Sequence, residues 1–229
     1  YGIIEDFTGL ADECHAHKAL LAINSIASTL GVLRSPGEWG ADIACGDAQS
    51  LGLPLNYGGP YIGYLCVKNA LVRKMPGRLV GQTDDADGKR AFVLTMQARE
   101  QHIRREKATS NICTAQGIMC LYVAIYLSLM GKDGLREVNH QSYASAHELH
   151  RLLTADNRFV DLYPGQPFLN EFTLKYQGSE GLDNLRKRLA EAGYLAGVKV
   201  EGTTDCLIIA VTEQRTAQEI VEFAKLALS

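Results

Sequence analysis

The sequence lacks the motifs that mark many nucleotide-dependent and zinc-dependent enzymes. Its 229 residues contain no P-loop, no dinucleotide-binding fingerprint and no His-Glu-x-x-His zinc motif. His147-Glu148-Leu149-His150 has the wrong order for that zinc motif, and we predict that it lies on the solvent side of a helix. His15 and His17 fall on different faces of a predicted helix at residues 6–17, so we expect no metal site there. The composition therefore gives no direct evidence for either enzyme class.

Paired cysteines, a strong excess of one charge and long apolar runs are also missing. The six cysteines form no Cys-x-x-Cys pair, so we predict reduced core cysteines in a cytoplasmic protein. The net charge of -3 gives no general reason to bind nucleic acid or an anionic membrane. The uncharged apolar segment at residues 117–131 is too short to span a bilayer and predicts a buried helix. The chain starts at Tyr1 without a methionine, so we expect a fragment with an exposed apolar face.

Apolar runs in the first half of the chain predict an α/β fold. Three buried strands are expected, at residues 19–24, 42–45 and 61–67. Their separation by helices and loops is typical of a sheet with much parallel character. The loop at residues 46–60 is rich in turn residues and lies where open α/β sheets bind ligands. Within this loop we expect positive φ at Gly58, at Gly59 or at both.

A second, smaller unit is predicted from about residue 135. Apolar residues at helical spacing indicate a long amphipathic helix that leads into this unit. A further helix is expected around three leucines, Leu182, Leu185 and Leu189. The last helix begins with a capping box at Thr216 and Glu219. Because strands alternate with these helices, we predict a small α+β domain at residues 135–229, after a larger domain at residues 1–134.

Two polar stretches interrupt the first domain. Residues 75–90 predict an irregular excursion with a turn at Asp87-Gly88, followed by a strand at residues 91–96. The second stretch combines cationic and small polar side chains directly before the apolar helix. Its cations and histidine are Arg99, His102, Arg104, Arg105 and Lys107. Its small polar residues are Thr109, Ser110 and Asn111.

This cationic stretch predicts an anion site. A helix N-terminus has free N–H groups and a positive dipole end, so cations and hydroxyls beside it favour a phosphate or a carboxylate. The alternative is a solvated loop in which Arg104 and Arg105 pair with Glu100 and Glu106, while Thr114 caps the helix. The residue types alone leave both interpretations open.

A family resemblance favours the first interpretation. Residues 99–114 (REQHIRREKATSNICT), with residues 75–81 (MPGRLVG) and 58–61 (GGPY) before them, resemble the P-protein of the glycine cleavage system. The similarity is to subunit 1 of the split form or to the N-terminal half of the fused form. It implies the type I aminotransferase fold of pyridoxal-phosphate (PLP) enzymes. In that fold, part of a large α/β domain is followed by a small α+β C-terminal domain.

The same resemblance implies a degenerate PLP pocket. In catalytic members of the fold, a lysine just after the second predicted strand holds PLP as a Schiff base. This sequence has no lysine between Lys18 and Lys68, and Gln49 stands at the lysine's place. Asn24 stands where an aspartate would pair with the pyridine nitrogen. The resemblance therefore implies that the chain alone is inactive, carries no catalytic residue, and works with PLP bound to P-protein subunit 2.

The resemblance also implies roles for the cationic stretch. Thr109, Ser110 and Asn111 match residues that reach the phosphate of the partner subunit's PLP. Five side chains are expected to guide PLP, the glycine carboxylate or the lipoyl H-protein, namely Arg99, His102, Arg104, Arg105 and Lys107. The implied reaction is glycine decarboxylation on PLP, followed by aminomethyl transfer to the lipoyl group of the H-protein. Neither nucleic acid nor a membrane is an expected partner.

Two alternative functions belong to other classes. One is a non-catalytic scaffold or regulatory aminotransferase-like protein that binds an anionic ligand through the cationic stretch. Copurification with a lysine-bearing subunit would contradict it. The other is nucleic-acid binding through residues 99–107, against which stand the acidic overall charge and the lack of aromatics within that stretch.

Overall fold

The chain forms two compact units in the computed structural model, which describes residues 1–108, 112 and 115–229. The N-terminal unit consists of Thr8–Leu30 and Arg34–Ser128. The C-terminal unit consists of Leu129–Ser229 together with Tyr1–Phe7 and Gly31–Leu33. The structure thus divides the chain between Ser128 and Leu129. The domain boundary expected between residues 134 and 135 stays a prediction.

A three-stranded sheet organises the N-terminal unit. Its first elements are helix α1 (Leu10–Ala16) and strands β1 (Ala22–Asn24), β2 (Ile43–Asp47) and β3 (Gly63–Val67). β1 pairs with β2 in parallel, and β2 pairs with β3 antiparallel. All three predicted strands are present, but the parallel character is limited to one pair. The apolar residues Leu21 and Ile23 are buried in this unit.

A β-hairpin follows the sheet where the sequence predicts a polar excursion. Strands β4 (Leu79–Asp84) and β5 (Arg90–Thr95) pair antiparallel, and the turn at Asp87-Gly88 is present as predicted. The Asp85 carboxylate accepts hydrogen bonds from the Asp87 and Lys89 backbone N–H groups, both at 2.9 Å. β4 was not predicted, because its sequence lacks a regular apolar alternation. The ladder with β5 supplies the hydrogen bonds that stabilise it.

The apolar helix α3 runs from Gly117 to Thr154 after the short helix α2 (Gln101–Arg104). The backbone is non-helical at Gly131, with φ 60° and ψ -169°, so the element consists of two helical segments. By length and composition alone, α3 is apolar enough to cross a membrane. At roughly 1.5 Å per residue the segment before the break is about 21 Å long. This is shorter than a bilayer's hydrocarbon core of about 30 Å.

The first segment of α3 is not the buried helix that the sequence predicts. Only Met119 is buried among the described residues 117–130. An apolar stripe at helical spacing is exposed instead. It comprises Ile118, Leu121, Tyr122 and Ile125. A continuous apolar stripe of this kind is uncommon on a monomeric protein and marks a contact surface.

We expect the chain to self-associate through this stripe in solution. Static light scattering across a concentration series should show the mean mass rising with concentration. The double variant Leu121→Glu with Ile125→Glu should shift the mass toward the monomer, because burying a carboxylate in an apolar contact is costly. Leu195→Glu is the control, since Leu195 is 95% exposed at a site outside the stripe. A wild-type chain that stays monomeric throughout would contradict the prediction.

A four-stranded antiparallel sheet, the second segment of α3 and two further helices build the C-terminal unit. The strand order is β6-β7-β9-β8, formed by Phe159–Asp161, Glu171–Tyr176, Cys206–Ala210 and Val198–Lys199. Helices α4 (Leu182–Glu191) and α5 (Ala217–Ala227) accompany the sheet. The expected leucine helix and the capping box of α5 are both confirmed. β6 was not predicted, because its three residues are too few to show a pattern.

The predicted solvent position of His147 and His150 is wrong. The His147 ring stacks on Phe168 with centroids 3.9 Å apart, and its Nε2 lies 3.2 Å from the Phe168 carbonyl oxygen. His150 Nε2 lies 3.1 Å from a carboxylate oxygen of Asp161. Both histidines therefore contact the sheet side of α3. The residue types of the motif do not predict these contacts. A histidine ring can stack on an aromatic ring and be partly buried while its nitrogens keep their hydrogen bonds.

The prediction of core cysteines is also partly wrong. The five described cysteines are all free thiols. However, only Cys206 is buried, whereas Cys66 and Cys120 are exposed. Both exposed thiols lie on apolar elements whose outer faces are open. Within the described part of the chain, no group of His, Cys, Asp or Glu is arranged to hold a metal ion.

A buried carboxylate connects four segments at the amino end of β2. Asp42 accepts hydrogen bonds from the Leu21 backbone N–H at 2.9 Å and from Lys68 Nζ at 2.8 Å. His15 Nε2 lies 2.8 Å from the same carboxylate. The hydrogen bond from Lys68, then those from His15 and Leu21, hold the pKa of Asp42 far below its usual range. This network joins α1, β1, β2 and the segment after β3.

Asp42→Asn should flatten the acid sensitivity of the N-terminal unit. A carboxyl whose pKa is lowered by folding stabilises the fold above its unfolded pKa of about 3.9, and this stabilisation is lost as pH falls below that value. Wild-type urea midpoints, followed by the fluorescence of Trp39, should therefore fall between pH 6 and pH 3 more steeply than those of the variant. Asp84→Asn is the control, because Asp84 is exposed. Equal pH slopes for wild type and Asp42→Asn would contradict the prediction.

Candidate functional site

Asn24 and Gln49, which the sequence predicts to form a degenerate PLP pocket, lie at the carboxyl edge of the parallel strand pair. β1 ends at Asn24, and Gln49 follows the end of β2 at Asp47. Adjacent parallel strands end at the same edge of a sheet, which is where open α/β sheets bind ligands. The structure thus brings both predicted residues to one edge, as the sequence suggests.

The Gln49 side chain is committed to its own loop. Its Nε2 donates a hydrogen bond to the Leu53 carbonyl oxygen at 2.6 Å, and its backbone N–H donates to the Asp47 carboxylate at 2.9 Å. These bonds close the turn that follows β2. A carboxamide held in this way is neither a nucleophile nor a cation.

The lysines nearest in sequence lie at the opposite edge. Lys18 precedes β1, and Lys68 follows β3, which runs antiparallel to β2. Lys68 Nζ is bound by Asp42 at 2.8 Å and by the Gly40 carbonyl oxygen at 3.0 Å. Neither lysine therefore replaces the missing one at the carboxyl edge.

Sequence patterns do not predict a group of hydroxyls that lies at the carboxyl edge. Ser25 Oγ and the Tyr64 hydroxyl lie 2.5 Å apart, and Ser50 Oγ donates to Ser28 Oγ at 2.8 Å. The four residues come from three separate segments, so no local motif reports them. The sequence feature that could have predicted part of this group is the pair of serines, Ser25 and Ser28, directly after β1. Together they make this edge polar without adding a positive charge.

The loop after β2 has an unusual backbone. Gly58 and Gly59 have φ of 112° and 129°, which confirms the predicted positive values. Asn56 and Tyr57 before them also have positive φ, and a left-handed aromatic residue costs about 1 kcal/mol or more. The Tyr57 side chain is fully exposed. The loop therefore holds a strained conformation at the ligand edge of the sheet.

Arg99 joins the two ends of the β4–β5 hairpin. Its guanidinium donates to the backbone carbonyls of Val72, at 3.2 Å, and of Met75 and Gly77, which lie directly before β4. Its Nε donates to the Met96 carbonyl oxygen at 3.2 Å, directly after β5. The structure thus gives Arg99 a bracing role. Its predicted role in binding substrate or carrier has no support from these contacts.

The other cationic residues are exposed. His102, Arg104, Arg105 and Lys107 make no ion pair or side-chain hydrogen bond with residues 1–108, 112 or 115–229. Glu100 is buried, at 5% exposure, and forms no ion pair with Arg104 or Arg105 in that part of the chain. The ion pairs that the alternative expects with Glu100 and Glu106 are thus absent among the described residues, whereas the exposure of these side chains agrees with a solvated loop.

The predicted phosphate-binding residues cannot be placed in this arrangement. Thr109, Ser110 and Asn111, and the expected helix cap Thr114, lie outside the described residues. In the sequence they follow the exposed cations and precede α3.

The fold defines a class of protein. The chain superposes on alanine–glyoxylate aminotransferase from Nostoc sp. with a TM-score of 0.66 at 14% identity, covering 100% of this chain and 59% of that one. This similarity shows the type I fold of PLP-dependent enzymes, as predicted. The match to a crystal structure of glycine decarboxylase (P-protein) of the glycine cleavage system is closer. Its TM-score is 0.93 at 42% identity, covering 99% of this chain and 52% of that one.

Sequence comparison identifies the family. A profile described as "Glycine cleavage system P-protein" matches residues 1–226. The chain belongs to this family. It is 46% identical to "Probable glycine dehydrogenase (decarboxylating) subunit 1" of Moorella thermoacetica, covering 96% of this chain and 50% of that protein. The chain spans about half the length of the curated relatives it matches.

The described pocket residues do not fit a covalently held PLP. The carboxyl edge carries Gln49 in place of an amine, and the Gln49 amide is already bonded to the chain's own loop. Asn24 is neutral and offers no carboxylate to a protonated ring nitrogen. The hydroxyls of Ser25, Ser28, Ser50 and Tyr64 supply hydrogen bonds but no nucleophile of suitable basicity. The described residues at this edge therefore provide no group that could bind the cofactor covalently.

Proposed function

We propose that this chain is part of the non-lysine-bearing subunit of a two-subunit glycine dehydrogenase (decarboxylating) of the glycine cleavage system. The observation that carries the proposal is the match to glycine decarboxylase along 99% of the chain, combined with Gln49 at the lysine's place. The enzyme decarboxylates glycine with PLP and transfers the aminomethyl group to the lipoyl H-protein. The relatives' name, subunit 1, supports a partner subunit, and the absence of lysine over residues 19–67 leads us to assign the lysine to that partner.

The role of this chain would be to complete the partner's site. Its own carboxyl edge keeps the shape of a cofactor edge but has lost the amine. Thr109, Ser110 and Asn111 would donate hydrogen bonds to the phosphate of the partner's PLP. The exposed cations would attract the carboxylate of glycine and the anionic groups of the carrier protein. We place the complex in the cytoplasm, since the described cysteines are free thiols.

The proposal is tested by reconstitution with the partner subunit. The measurement is the H-protein-dependent exchange of carbon dioxide into glycine. Activity should require both chains, because the PLP-bearing lysine and the phosphate-binding residues come from different subunits. Full exchange by the partner subunit alone would contradict the proposal.

Removing the phosphate contacts should weaken cofactor retention in the reconstituted enzyme. A hydrogen bond to a charged phosphate contributes roughly 1.5–3 kcal/mol. Thr109→Ala or Ser110→Ala should therefore raise the dissociation constant of PLP about tenfold or more. Titration of the apoenzyme with PLP, followed by absorbance, measures this constant. Ser128→Ala is a matched control, since the Ser128 hydroxyl donates within α3 to Ala124. An unchanged dissociation constant of PLP in both Thr109→Ala and Ser110→Ala would show that these residues do not contact the phosphate.

A further inference from the structure

Glu100 is a buried carboxylate for which the described part of the chain supplies no partner. It is 5% exposed and begins α2, but its side chain makes no capping hydrogen bond there. Within residues 1–108, 112 and 115–229, no group donates to this carboxylate and no cation pairs with it. A charged group that is removed from water without a partner destabilises the fold. Buried groups left unsatisfied in this way are uncommon in proteins and often mark a functional role.

A suitable partner lies one helical turn away and is not used. Arg104 follows Glu100 at the i+4 position, where a glutamate and an arginine on a helix normally attract each other. The Arg104 side chain is exposed instead, as is the side chain of Arg105. The folded chain therefore separates an acid from two bases that could neutralise it.

Arg99 fixes the backbone directly before Glu100. Its guanidinium donates to three backbone carbonyls in the segment before β4. Its Nε donates to the Met96 carbonyl oxygen at 3.2 Å, directly after β5. We call this set of hydrogen bonds the Arg99 clamp. Because Glu100 is the next residue in the chain, the clamp restricts the positions that its side chain can reach.

The backbone is strained on both sides of Glu100. Met96 has a φ of 58° and Arg105 has a φ of 54°, in the left-handed region that residues other than glycine rarely adopt. Such conformations persist only where surrounding contacts enforce them, and they are concentrated at functional sites. The hydrogen bond from Arg99 Nε to Met96 is one of these contacts. The rest of the fold thus holds the segment from Met96 to Arg105 in a costly conformation.

The burial of Glu100 changes the charge that the exposed segment presents. Residues 101–108 contain the cations Arg104, Arg105 and Lys107, and Glu106 is their one carboxylate. A guanidinium group without a carboxylate beside it binds oxyanions through short, charge-assisted hydrogen bonds. With Glu100 at the surface, one of these groups would be neutralised within the chain.

We propose that Glu100 is a positioning residue of an oxyanion site formed by Arg104 and Arg105. Its burial beside the Arg99 clamp withholds a carboxylate from these guanidinium groups, so they stay open to the phosphate or carboxylate group of a ligand. When the clamp is released, Glu100 reaches the surface, pairs with Arg104 and competes with the ligand. This proposal rests on the proposed function only for the anionic character of the ligand.

The test is a titration of the ¹⁵N-labelled chain with inorganic phosphate, followed by NMR at the Arg104 and Arg105 side chains. Arg99→Gln releases the clamp and should raise the dissociation constant of phosphate about tenfold, the effect of losing one charge-assisted contact to a competitor. Arg99→Gln with Glu100→Gln removes the competitor and should restore most of the affinity. Acetate is the second probe, and the tighter of the two anions identifies the ligand group.

Arg99→Gln with Glu106→Gln is the matched control. This variant has the same net charge as the other double variant, but it removes a carboxylate that is already exposed in the wild-type chain. Its dissociation constant should therefore stay near that of Arg99→Gln alone. Hydrogen exchange over residues 79–95 checks that the β4–β5 hairpin stays folded in each variant.

Glu100→Gln alone tests the burial of the charge. It should raise the urea midpoint of the chain, because a neutral amide costs less to bury than an unpaired carboxylate. Phosphate binding should stay intact, since the guanidinium groups remain open. A lower urea midpoint would show that a donor outside the described residues satisfies the carboxylate, and it would overturn the proposal.

Two further results would overturn it. If phosphate leaves the Arg104 and Arg105 resonances of the wild-type chain unchanged, the oxyanion site does not exist, and carbon dioxide exchange by the reconstituted enzyme still decides the subunit assignment separately. Equal dissociation constants for Arg99→Gln and both double variants would show that Glu100 does not compete for the guanidinium groups.

Discussion

Borohydride reduction of the reconstituted complex should leave this chain free of pyridoxyl label and place the label on the partner subunit. The reduction converts a lysine Schiff base of PLP into a stable secondary amine, so a labelled peptide marks the lysine that holds the cofactor. This chain has no lysine from residue 19 to residue 67, and we propose that Gln49 stands at the position of the PLP-bearing lysine. We therefore expect the pyridoxyl label on the partner subunit and none on this chain.

Lys18 and Lys68 provide the internal control for this experiment. Both lie at the amino edge of the sheet, and the Lys68 ammonium group is bound by Asp42 at 2.8 Å. Peptide mapping by mass spectrometry should therefore show at most trace label at either lysine. Any trace label on Lys68 should disappear in the variant Lys68→Arg. A stoichiometric adduct on either lysine would show that this chain holds PLP itself. The proposed division of labour between subunits would then be wrong.

Leu174→Ala should cause the largest loss of stability among single substitutions that leave the site untouched. Leu174 is fully buried in β7, opposite Leu207 of β9 and Asp161 of β6. Truncating a buried leucine removes apolar contacts and leaves a cavity, at a cost of about 2–5 kcal/mol. A β7 position between two paired strands has little freedom to collapse, so we expect about 3 kcal/mol or more.

Urea unfolding followed by circular dichroism measures this loss. Leu195→Ala is the matched control, because it is the same chemical change at a position that is 95% exposed. Its effect should stay within about 0.5 kcal/mol, as is usual for exposed positions. Similar losses in the two variants would mean that the leucine cluster of this unit is not the main source of its stability.

Local sequence patterns determined the features that depend on neighbours in the chain. Thr216 and Glu219 close the capping box of α5 within one turn, and the Asp87-Gly88 turn forms where its residues predict it. The spacing of Leu182, Leu185 and Leu189 predicted a buried helical face, because side chains three or four residues apart share one side of a helix. The absence of lysine between Lys18 and Lys68 was likewise visible in the sequence alone, and its assignment to position 49 stays a prediction.

Tertiary structure decided the features that depend on distant segments. Arg99 binds carbonyls 22 to 27 residues before it, and Asp42 gathers His15, Leu21 and Lys68 from separate elements. No local pattern predicts such contacts, because they depend on which segments the fold brings together. β4 became a strand only through pairing with β5, despite its polar sequence.

The exposure of apolar residues was also a tertiary result. The residues of α3 predicted burial from their composition, whereas Ile118 is 60% exposed in the folded chain. Apolar character shows that a side chain gains free energy when covered, but it does not identify the surface that covers it. The sequence by itself thus determined the fold class and the absence of lysine between residues 18 and 68. The structure decided how Arg99 is used and which apolar faces are open for contact.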